Sequence, residues 1–190
     1  SVYTLITDLT NPTSTITSVN DLTTTGGYTS NNTLRINFSA SDTNIKNWTL
    51  SVYNSTSVLV ATWNDSIANT SQALSYAAVI NGSYQVNLTV IDNSTRSTIT
   101  SFTVYVDQTL PVLSLLTPTD SYYNNSATPV FAFKFNDSVS LNASCTLYLN
   151  GTAQLTNSTV QNNTDTNINT TLSLTAGIRT WYVNCTDPVS

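Results

Sequence analysis

The chain has 190 residues, of which only 8% are charged, and it carries a formal net charge of -5 with no histidine. Ordinary soluble proteins contain about 25% charged residues, and nucleic-acid-binding proteins need clustered lysine and arginine. The five scattered basic residues therefore argue against a nucleic-acid partner. No apolar run reaches the ~20 residues of a membrane helix, so we expect no membrane span.

The first dozen residues have the pattern of a β-strand. Tyr3 and Leu5 alternate with polar residues, and the run closes with an Asp-x-Thr-x-Pro motif at 8–12. The same motif at 107–111 follows the last strand of a predicted domain. We therefore expect residues 1–11 to be a strand that completes a domain in a neighbouring copy, with Tyr3 and Leu5 as its inserted side chains. A frayed tail, or a strand that folds back on its own chain, are the alternatives.

Apolar residues alternate with polar ones along most of the remaining chain, with β-branched and aromatic side chains at the apolar positions. The clearest alternating runs are 34–38, 48–52, 86–90, 102–106, 131–135, 145–149 and 181–185. Only residues 71–80 suggest a helical turn. The sequence predicts an all-β protein of many short strands.

The two halves are internal repeats. Residues 81–92 match 176–187, with the same spacing from glycine to aspartate. The pair Trp48 and Val90 stands where the second repeat has Cys145 and Cys185. Because both members change together, we expect each pair to face across neighbouring strands.

The repeat pattern predicts two immunoglobulin-like β-sandwiches in tandem. The predicted divisions are a donor strand over 1–11, a first sandwich over 12–110 and a second over 111–190. The second repeat lacks a counterpart of the strand at 102–106. A sandwich without this strand exposes unpaired edges, and a strand from another copy would complete it. The same geometry would arise if this chain were one unit of a longer tandem polypeptide.

The two cysteines, Cys145 and Cys185, are predicted to form a disulfide in an oxidising compartment. Metal ligation is the alternative, but two thiols without histidine make a poor zinc site.

Sequons for N-glycosylation are the strongest motif signal. The chain has 17 Asn-x-Ser/Thr sequences, whereas its composition alone gives about 8. They are at Asn31, Asn37, Asn47, Asn54, Asn64, Asn69, Asn81, Asn87, Asn93, Asn124, Asn136, Asn142, Asn150, Asn157, Asn162, Asn169 and Asn184. We predict dense N-glycosylation, which would supply the solubility that charges normally provide. The alternative is a set of accidental sequons in an Asn/Thr-rich β protein.

Aspartates recur at the ends of predicted strands, at Asp42, Asp92, Asp107, Asp137 and Asp187. They could bind Ca²⁺, but aspartates in such places more often satisfy the backbone groups of turns. We take the second interpretation and predict no metal and no cofactor other than covalent glycans.

Residues for catalysis are scarce. Histidine and glutamate are absent, and the thiols are expected to be oxidised, so no nucleophile with an adjacent base can be assembled. A hydrolase using two aspartates stays open as an alternative, but no motif brings two of them together. We predict that the protein is not an enzyme.

Aromatic residues at Tyr122, Tyr123 and Trp63 suggest two roles. They could form a platform for sugar rings, or they could pack at the edge of a core. We favour packing.

Two segments carry a family resemblance. Residues 145–151 are Cys-Thr-Leu-Tyr-Leu-Asn-Gly, and residues 177–187 are Gly-Ile-Arg-Thr-Trp-Tyr-Val-Asn-Cys-Thr-Asp. They resemble the tandem immunoglobulin-like repeats of microbial, especially archaeal, surface glycoproteins. In that family these two strands pair, and an Asp-x-Thr-x-Pro run leads into the next repeat. The resemblance covers 111–187 well and 12–110 less well, because both cysteines are missing there.

The resemblance implies an extracellular array of β-sandwiches with a structural or adhesive role. The missing strand is also similar in logic, though not in sequence, to pilus subunits that donate strands. We therefore expect a structural subunit of an extracellular, N-glycosylated filament whose partners are copies of itself. The alternative is an adhesin or surface-layer module that binds carbohydrate or a cell-surface partner.

Overall fold

The computed structural model describes residues 1–66, 70–77, 80–169 and 173–189. The chain divides into two compact units, Ser1–Gln108 (unit 1) and Thr109–Ser190 (unit 2). Every regular element of the described residues is a β-strand. The all-β prediction is confirmed. Among the same residues, no helix is long and apolar enough to cross a membrane.

Unit 1 is built from two sheets. Its strands are β1 (Thr13–Val19), β2 (Gly27–Thr29), β3 (Leu34–Ser41), β4 (Ile45–Tyr53), β5 (Leu59–Asp65), β6 (Thr70–Tyr76), β7 (Gly82–Asp92) and β8 (Ser97–Val106). One sheet has the order β1-β3-β6 and the other β2-β8-β7-β4-β5. Neighbouring strands are antiparallel, except that β2 runs parallel to β8.

The core of unit 1 lies between these sheets, because alternate side chains of each strand point to the same face. Ile36 and Phe38 of β3 are buried together with Leu50 of β4 and Leu88 of β7. The rings of Phe38 and Trp48, from opposite sheets, lie with centroids 4.9 Å apart in an edge-on arrangement. Unit 1 is therefore a two-layer β-sandwich of immunoglobulin-like architecture.

Unit 2 has a shorter set of strands. They are β9 (Val112–Thr117), β10 (Val130–Asn136), β11 (Asn142–Leu149), β12 (Thr152–Gln161), β13 (Thr166–Asn169) and β14 (Trp181–Thr186). Its sheets have the orders β13-β10-β9 and β12-β11-β14. Phe133, Phe135 and Leu147 are fully buried between them. The Asn150-Gly151 turn joins β11 to β12 with positive φ at both residues, the conformation that favours Asn-Gly in a two-residue hairpin.

The two units correspond strand for strand over most of their length. Strands β1, β3 and β6 have the same order as β9, β10 and β13, and β5, β4 and β7 the same order as β12, β11 and β14. Within the described part of unit 2, β2 and β8 have no counterpart. Gly82 and Gly177 lie at matching positions of the two units, and both have positive φ, 140° and 150° respectively.

A hydrogen bond to the backbone four residues upstream orients β7. The hydroxyl of Tyr84 donates to the carbonyl of Ile80 at 2.9 Å and accepts from its N–H at 3.0 Å. This is the arrangement of the tyrosine corner of immunoglobulin-like sandwiches. Desolvation raises the pKa of Tyr84 above its ordinary value. In unit 2 the matching residue, Arg179, donates instead to the carbonyl of Thr175 at 3.2 Å.

The suggested helical turn at 71–80 is wrong for its described residues, since β6 occupies Thr70–Tyr76. There Leu74 and Tyr76 pack against the core, so the period is two. Strand β2, only three residues long, has too short a pattern to be predicted.

Candidate assembly site

Strand β14 is paired on one side only. It forms an antiparallel ladder with β11, and no strand lies on its other side among the described residues. In unit 1 the equivalent strand, β7, pairs with β4 on one side and with β8 on the other. The free N–H and C=O groups of such an edge are a template for another strand.

The missing neighbour also uncovers the inner face of unit 2. In unit 1, β1 lies against β8, where the hydroxyl of Thr100 donates to the carbonyl of Ser14 at 2.7 Å. Ile16 of β1 is 8% exposed, whereas Leu115, at the matching position of β9, is 48% exposed. Strand β9 lies near β14, so the exposed Leu115 and the half-buried Trp181 border the position that β8 occupies in unit 1. We refer to this position in unit 2 as the groove.

The N-terminal segment, residues 1–7, is an apolar strand sequence without a partner. It forms no strand with the described residues of its own chain, so the fold-back alternative is not observed. Val2 is 98% exposed, Tyr3 92% and Leu5 87%. Large apolar side chains exposed at this density are unusual in a monomeric soluble protein.

The base of this segment is held by unit 1. The carboxylate of Asp8 accepts hydrogen bonds from the side-chain amide of Asn44 at 3.1 Å, and from the N–H and hydroxyl of Thr10 at 3.0 and 2.7 Å. The Asn44 bond, with those from Thr10, lowers the pKa of Asp8 from its ordinary value. The charge of Arg96 adds a smaller lowering, while desolvation opposes it. The segment is thus fixed at Asp8 and free before it.

The predicted disulfide is confirmed. Cys145 and Cys185 are bonded, with Cα atoms 4.1 Å apart, and they lie directly opposite each other in the ladder of β11 and β14. Trp48 and Val90 are opposite each other at the matching place in unit 1. The joint change from Trp48 and Val90 to two cysteines in the second repeat therefore predicted a cross-strand contact correctly.

The described sequon asparagines all lie at the surface of their unit. Those that are well exposed are Asn31, Asn64, Asn93, Asn124, Asn136, Asn142, Asn150, Asn169 and Asn184, and those that are half-buried are Asn37, Asn47, Asn54, Asn81, Asn87, Asn157 and Asn162. Asn69 lies outside the described residues. The amide nitrogen of Asn162 donates to the carbonyl of Asp137 at 2.7 Å, and that of Asn37 donates to the hydroxyl of Ser18 at 2.9 Å.

The aromatic candidates differ in exposure. Trp63 packs against the core of unit 1, as expected of a packing residue. Tyr122 and Tyr123 are 62% and 97% exposed, so the expectation that they pack at a core edge is wrong for both.

The strand-end aspartates satisfy turn backbone groups, as predicted. The Oδ1 atom of Asp92 accepts from the hydroxyl of Ser94 and the N–H of Arg96, both at 2.8 Å. Asp42, Asp137 and Asp187 each accept from a backbone N–H two residues further on.

Two of these residues belong to a cluster. One carboxylate oxygen each of Asp8, Asp42 and Asp92 lies within 4.8 Å of the other two. Sequence analysis identified Asp42 and Asp92 but missed Asp8. The repetition of Asp-x-Thr-x-Pro at 8–12 and 107–111 was the signal that could have found it.

Comparison with known proteins gives shape likeness only. No protein-family model and no curated protein sequence matches the chain. Fibronectin(III)-like modules of CbhA from Clostridium thermocellum share 11% identity at a TM-score of 0.39, over 90% of this chain and 85% of that one. Dimeric latent PorU from Porphyromonas gingivalis shares 15% identity at 0.41, over 96% of this chain and 19% of that one.

A 1.5-MDa bacterial ice-binding adhesin matches at 13% identity and a TM-score of 0.32, over 83% of this chain and 57% of that one. The chain thus spans less than two thirds of the matched PorU and adhesin chains. At these identities and TM-scores the likeness carries no argument about function.

Proposed function

We propose that this chain is a structural subunit of an extracellular, densely N-glycosylated filament assembled by strand donation. Residues 1–7 of one copy add to the free edge of β14 in the next copy and become the last strand of its unit 2. The observation that carries this proposal is the unpaired edge of β14 beside an exposed groove, together with an exposed apolar segment in the same chain.

The repeat supplies the register of the donated strand. In unit 1, Val86 of β7 lies opposite Phe102 of β8. Trp181 precedes Asp187 by as many residues as Val86 precedes Asp92, so these two positions match. Tyr3 and Phe102 match in the same way, because each lies five residues before the aspartate of its Asp-x-Thr-x-Pro motif. The donated strand therefore places Tyr3 opposite Trp181 and Leu5 at the position of the buried Val104.

Burial of the inward side chains drives the association. Tyr3 and Leu5 pass from almost full exposure into the groove, and Leu115 is covered in the same step. Each fully buried side chain of this size contributes about 1.5–3 kcal/mol. The ladder of main-chain hydrogen bonds along β14 adds affinity and fixes the register.

The contact is heterologous, because the donating and accepting surfaces are different. Such contacts propagate into an open polymer unless the rotation closes a ring. The disulfide between Cys145 and Cys185 keeps β14 attached to β11 while its other edge is free. The disulfide and the sequons support an oxidising, extracellular location.

Removal of residues 1–7 tests the proposal. We expect the truncated chain to stay monomeric in light scattering and to form no filament in electron micrographs. Retaining Asp8 keeps the base of the segment in place, so the test removes only the donated residues. A truncated chain that still polymerises would contradict strand donation.

A pair of matched variants separates strand donation from general stickiness. Tyr3→Ser with Leu5→Ser removes the inward side chains, and we expect it to abolish assembly. Val2→Ser with Ile6→Ser removes as many apolar side chains from the other face, and we expect it to leave filaments intact. Equal loss in both variants would show that the segment acts through hydrophobicity alone.

The mass of the denatured, reduced and deglycosylated natural protein distinguishes separate subunits from one continuous polypeptide. A single species near 20.5 kDa is expected for separate subunits. A much larger species would show that the strand comes from an adjoining repeat of the same chain.

An adhesin role is the second candidate, favoured by the exposure of Tyr122 and Tyr123. Exposed aromatic faces can stack on sugar rings. Binding on a carbohydrate array that disappears in Tyr122→Ala with Tyr123→Ala would establish this role, and an array without signal would remove it.

A further inference from the structure

We propose that Asp8, Asp42 and Asp92 form a Ca²⁺ site in unit 1, at the base of the N-terminal segment. One carboxylate oxygen from each lies within 4.8 Å of the other two. Ca²⁺ binds oxygen ligands at 2.3–2.6 Å, so oxygens at these separations can share one ion. The three residues come from the position that directly follows residues 1–7, from the turn between β3 and β4, and from the end of β7.

The orphaned oxygen of Asp92 is the independent observation that points to a cation. Asp92 is fully buried, and its Oδ1 atom holds both turn hydrogen bonds. Its Oδ2 atom has no hydrogen-bond partner. Buried polar atoms are almost always satisfied, and a buried carboxylate oxygen without a donor is costly. A cation held with Asp8 and Asp42 supplies the missing partner.

Within the described residues, neither Asp8 nor Asp92 forms an ion pair with lysine or arginine. The nearby guanidinium of Arg96 donates instead to the side-chain carbonyl of Asn11 at 3.3 Å. A divalent cation would place a positive charge in direct contact with these carboxylates.

The donor set favours calcium over other metals. All three ligands are carboxylates, whereas zinc sites use cysteine and histidine. Magnesium requires near-ideal octahedral geometry and keeps most of its water. Calcium tolerates irregular geometry, which suits ligands brought from three separate parts of the chain.

Calcium at this place would control where the N-terminal segment leaves unit 1. Asp8 directly follows residues 1–7, and unit 1 holds it through a hydrogen bond from the side-chain amide of Asn44. An ion bridging Asp8 to Asp42 and Asp92 would fix the direction of residues 1–7. This inference concerns unit 1 alone and does not depend on strand donation.

Calorimetric titration of the EDTA-treated full chain with CaCl₂ tests the site. We expect binding with Kd on the order of 10⁻⁴–10⁻³ M, as in extracellular calcium modules. Asp8→Ala and Asp92→Asn should each remove one binding event or weaken it at least tenfold. The matched control is Asp120→Asn, an exposed aspartate outside the cluster, and it should bind as the unchanged protein does.

The variants are chosen so that loss of folding does not imitate loss of binding. Asparagine at position 92 keeps an oxygen that can accept the hydrogen bonds from Ser94 and Arg96. Position 8 precedes the first strand of the sandwich, β1. Circular dichroism should match the unchanged protein for both. Absence of calcium binding, binding that persists in both variants, or equal affinity for MgCl₂ would overturn the proposal.

Discussion

The two units of this chain share one strand order but differ in the number of strands that the structure describes in each. In unit 1, β7 is a central strand between β4 and β8, and the sandwich is closed by β1 against β8. In unit 2, the equivalent β14 has one partner among the described residues. The core of unit 2 is nevertheless buried around Phe133 and Phe135. The described strands of unit 2 therefore bury a core without a strand at the position of β8.

Unit 2 carries a substitution that fits an open edge. Where unit 1 packs Trp48 across from Val90, unit 2 joins Cys145 to Cys185. A covalent link holds β14 to β11 without help from a second neighbour. We expect the disulfide to stabilise β14 in unit 2, as pairing with β8 stabilises β7 in unit 1.

The largest expected effect comes from completing unit 2 within one chain. A variant without residues 1–7, but with a copy of them appended after residue 189 through a short Gly/Ser turn, should be monomeric. The appended strand fills the groove, so amide hydrogen exchange in β14 should slow to the level of β7. An appended Tyr3→Ser, Leu5→Ser copy is the control and should leave β14 unprotected. Equal exchange in both variants would contradict the comparison.

Loss of the disulfide should destabilise unit 2 alone. The bond closes a loop with a sequence separation of 40, for which the chain-entropy model gives about 4 kcal/mol of unfolding free energy. In Cys145→Ala with Cys185→Ala, the amides of unit 2 should lose half of their protection from hydrogen exchange at a lower urea concentration than in the unchanged protein. The transition of unit 1, which contains no cysteine, is the internal control. A shift of unit 1 by the same amount would contradict the separate roles.

Matched alanine substitutions should show the groove directly. In the chain lacking residues 1–7, Ile16→Ala removes a buried side chain and should lower the unfolding free energy by about 2–3 kcal/mol. Leu115→Ala, at the same place in unit 2, should change it by less than about 0.5 kcal/mol, because Leu115 is exposed. In the complete chain, Leu115→Ala should weaken assembly about tenfold or more. Equal destabilisation by both substitutions in the truncated chain would show that the groove is already covered.

Glycan occupancy should vary in a graded way along the chain. The amide of Asn162 is engaged by the backbone of Asp137 at both its oxygen and its nitrogen. Asn124 is exposed, and its amide oxygen accepts one hydrogen bond, from the N–H of Ser126. Glycopeptide mass spectrometry of the natural protein should find lower occupancy at Asn162 than at Asn124. Occupancy at Asn162 equal to that at Asn124 would show that glycans are added before this turn forms.

Patterns that repeat in sequence were the most predictable part of the fold. Alternation identified the buried faces of β3, β4, β7, β8, β10, β11 and β14, because a half-buried strand has a period of two. The joint change from Trp48 and Val90 to two cysteines identified a cross-strand pair. The alternation is visible within each strand, and the joint change is visible because the same pair of strands occurs in both repeats.

Features that depend on distant contacts were not predictable. The parallel pairing of β2 with β8 joins a three-residue strand to one far along the chain, and no residue pattern marks it. The aspartate cluster needs Asp8 to meet the ends of β3 and β7, which only the closed sandwich brings about. The exposure of Leu115 could not be inferred either, since its sequence position matches the buried Ile16.

Cysteine trapping is the most direct measurement of the central claim, that another copy completes unit 2. Asn87 lies opposite Ser101 in unit 1, and the matching residues for the donated strand are Tyr182 and Val2, both exposed. Directly opposite residues of antiparallel strands are close enough for a disulfide. Val2→Cys with Tyr182→Cys should give a ladder of multimers on a denaturing gel that collapses on reduction, while Val2→Cys with Tyr123→Cys should not. Monomers alone, or the same ladder from both variants, would contradict strand donation.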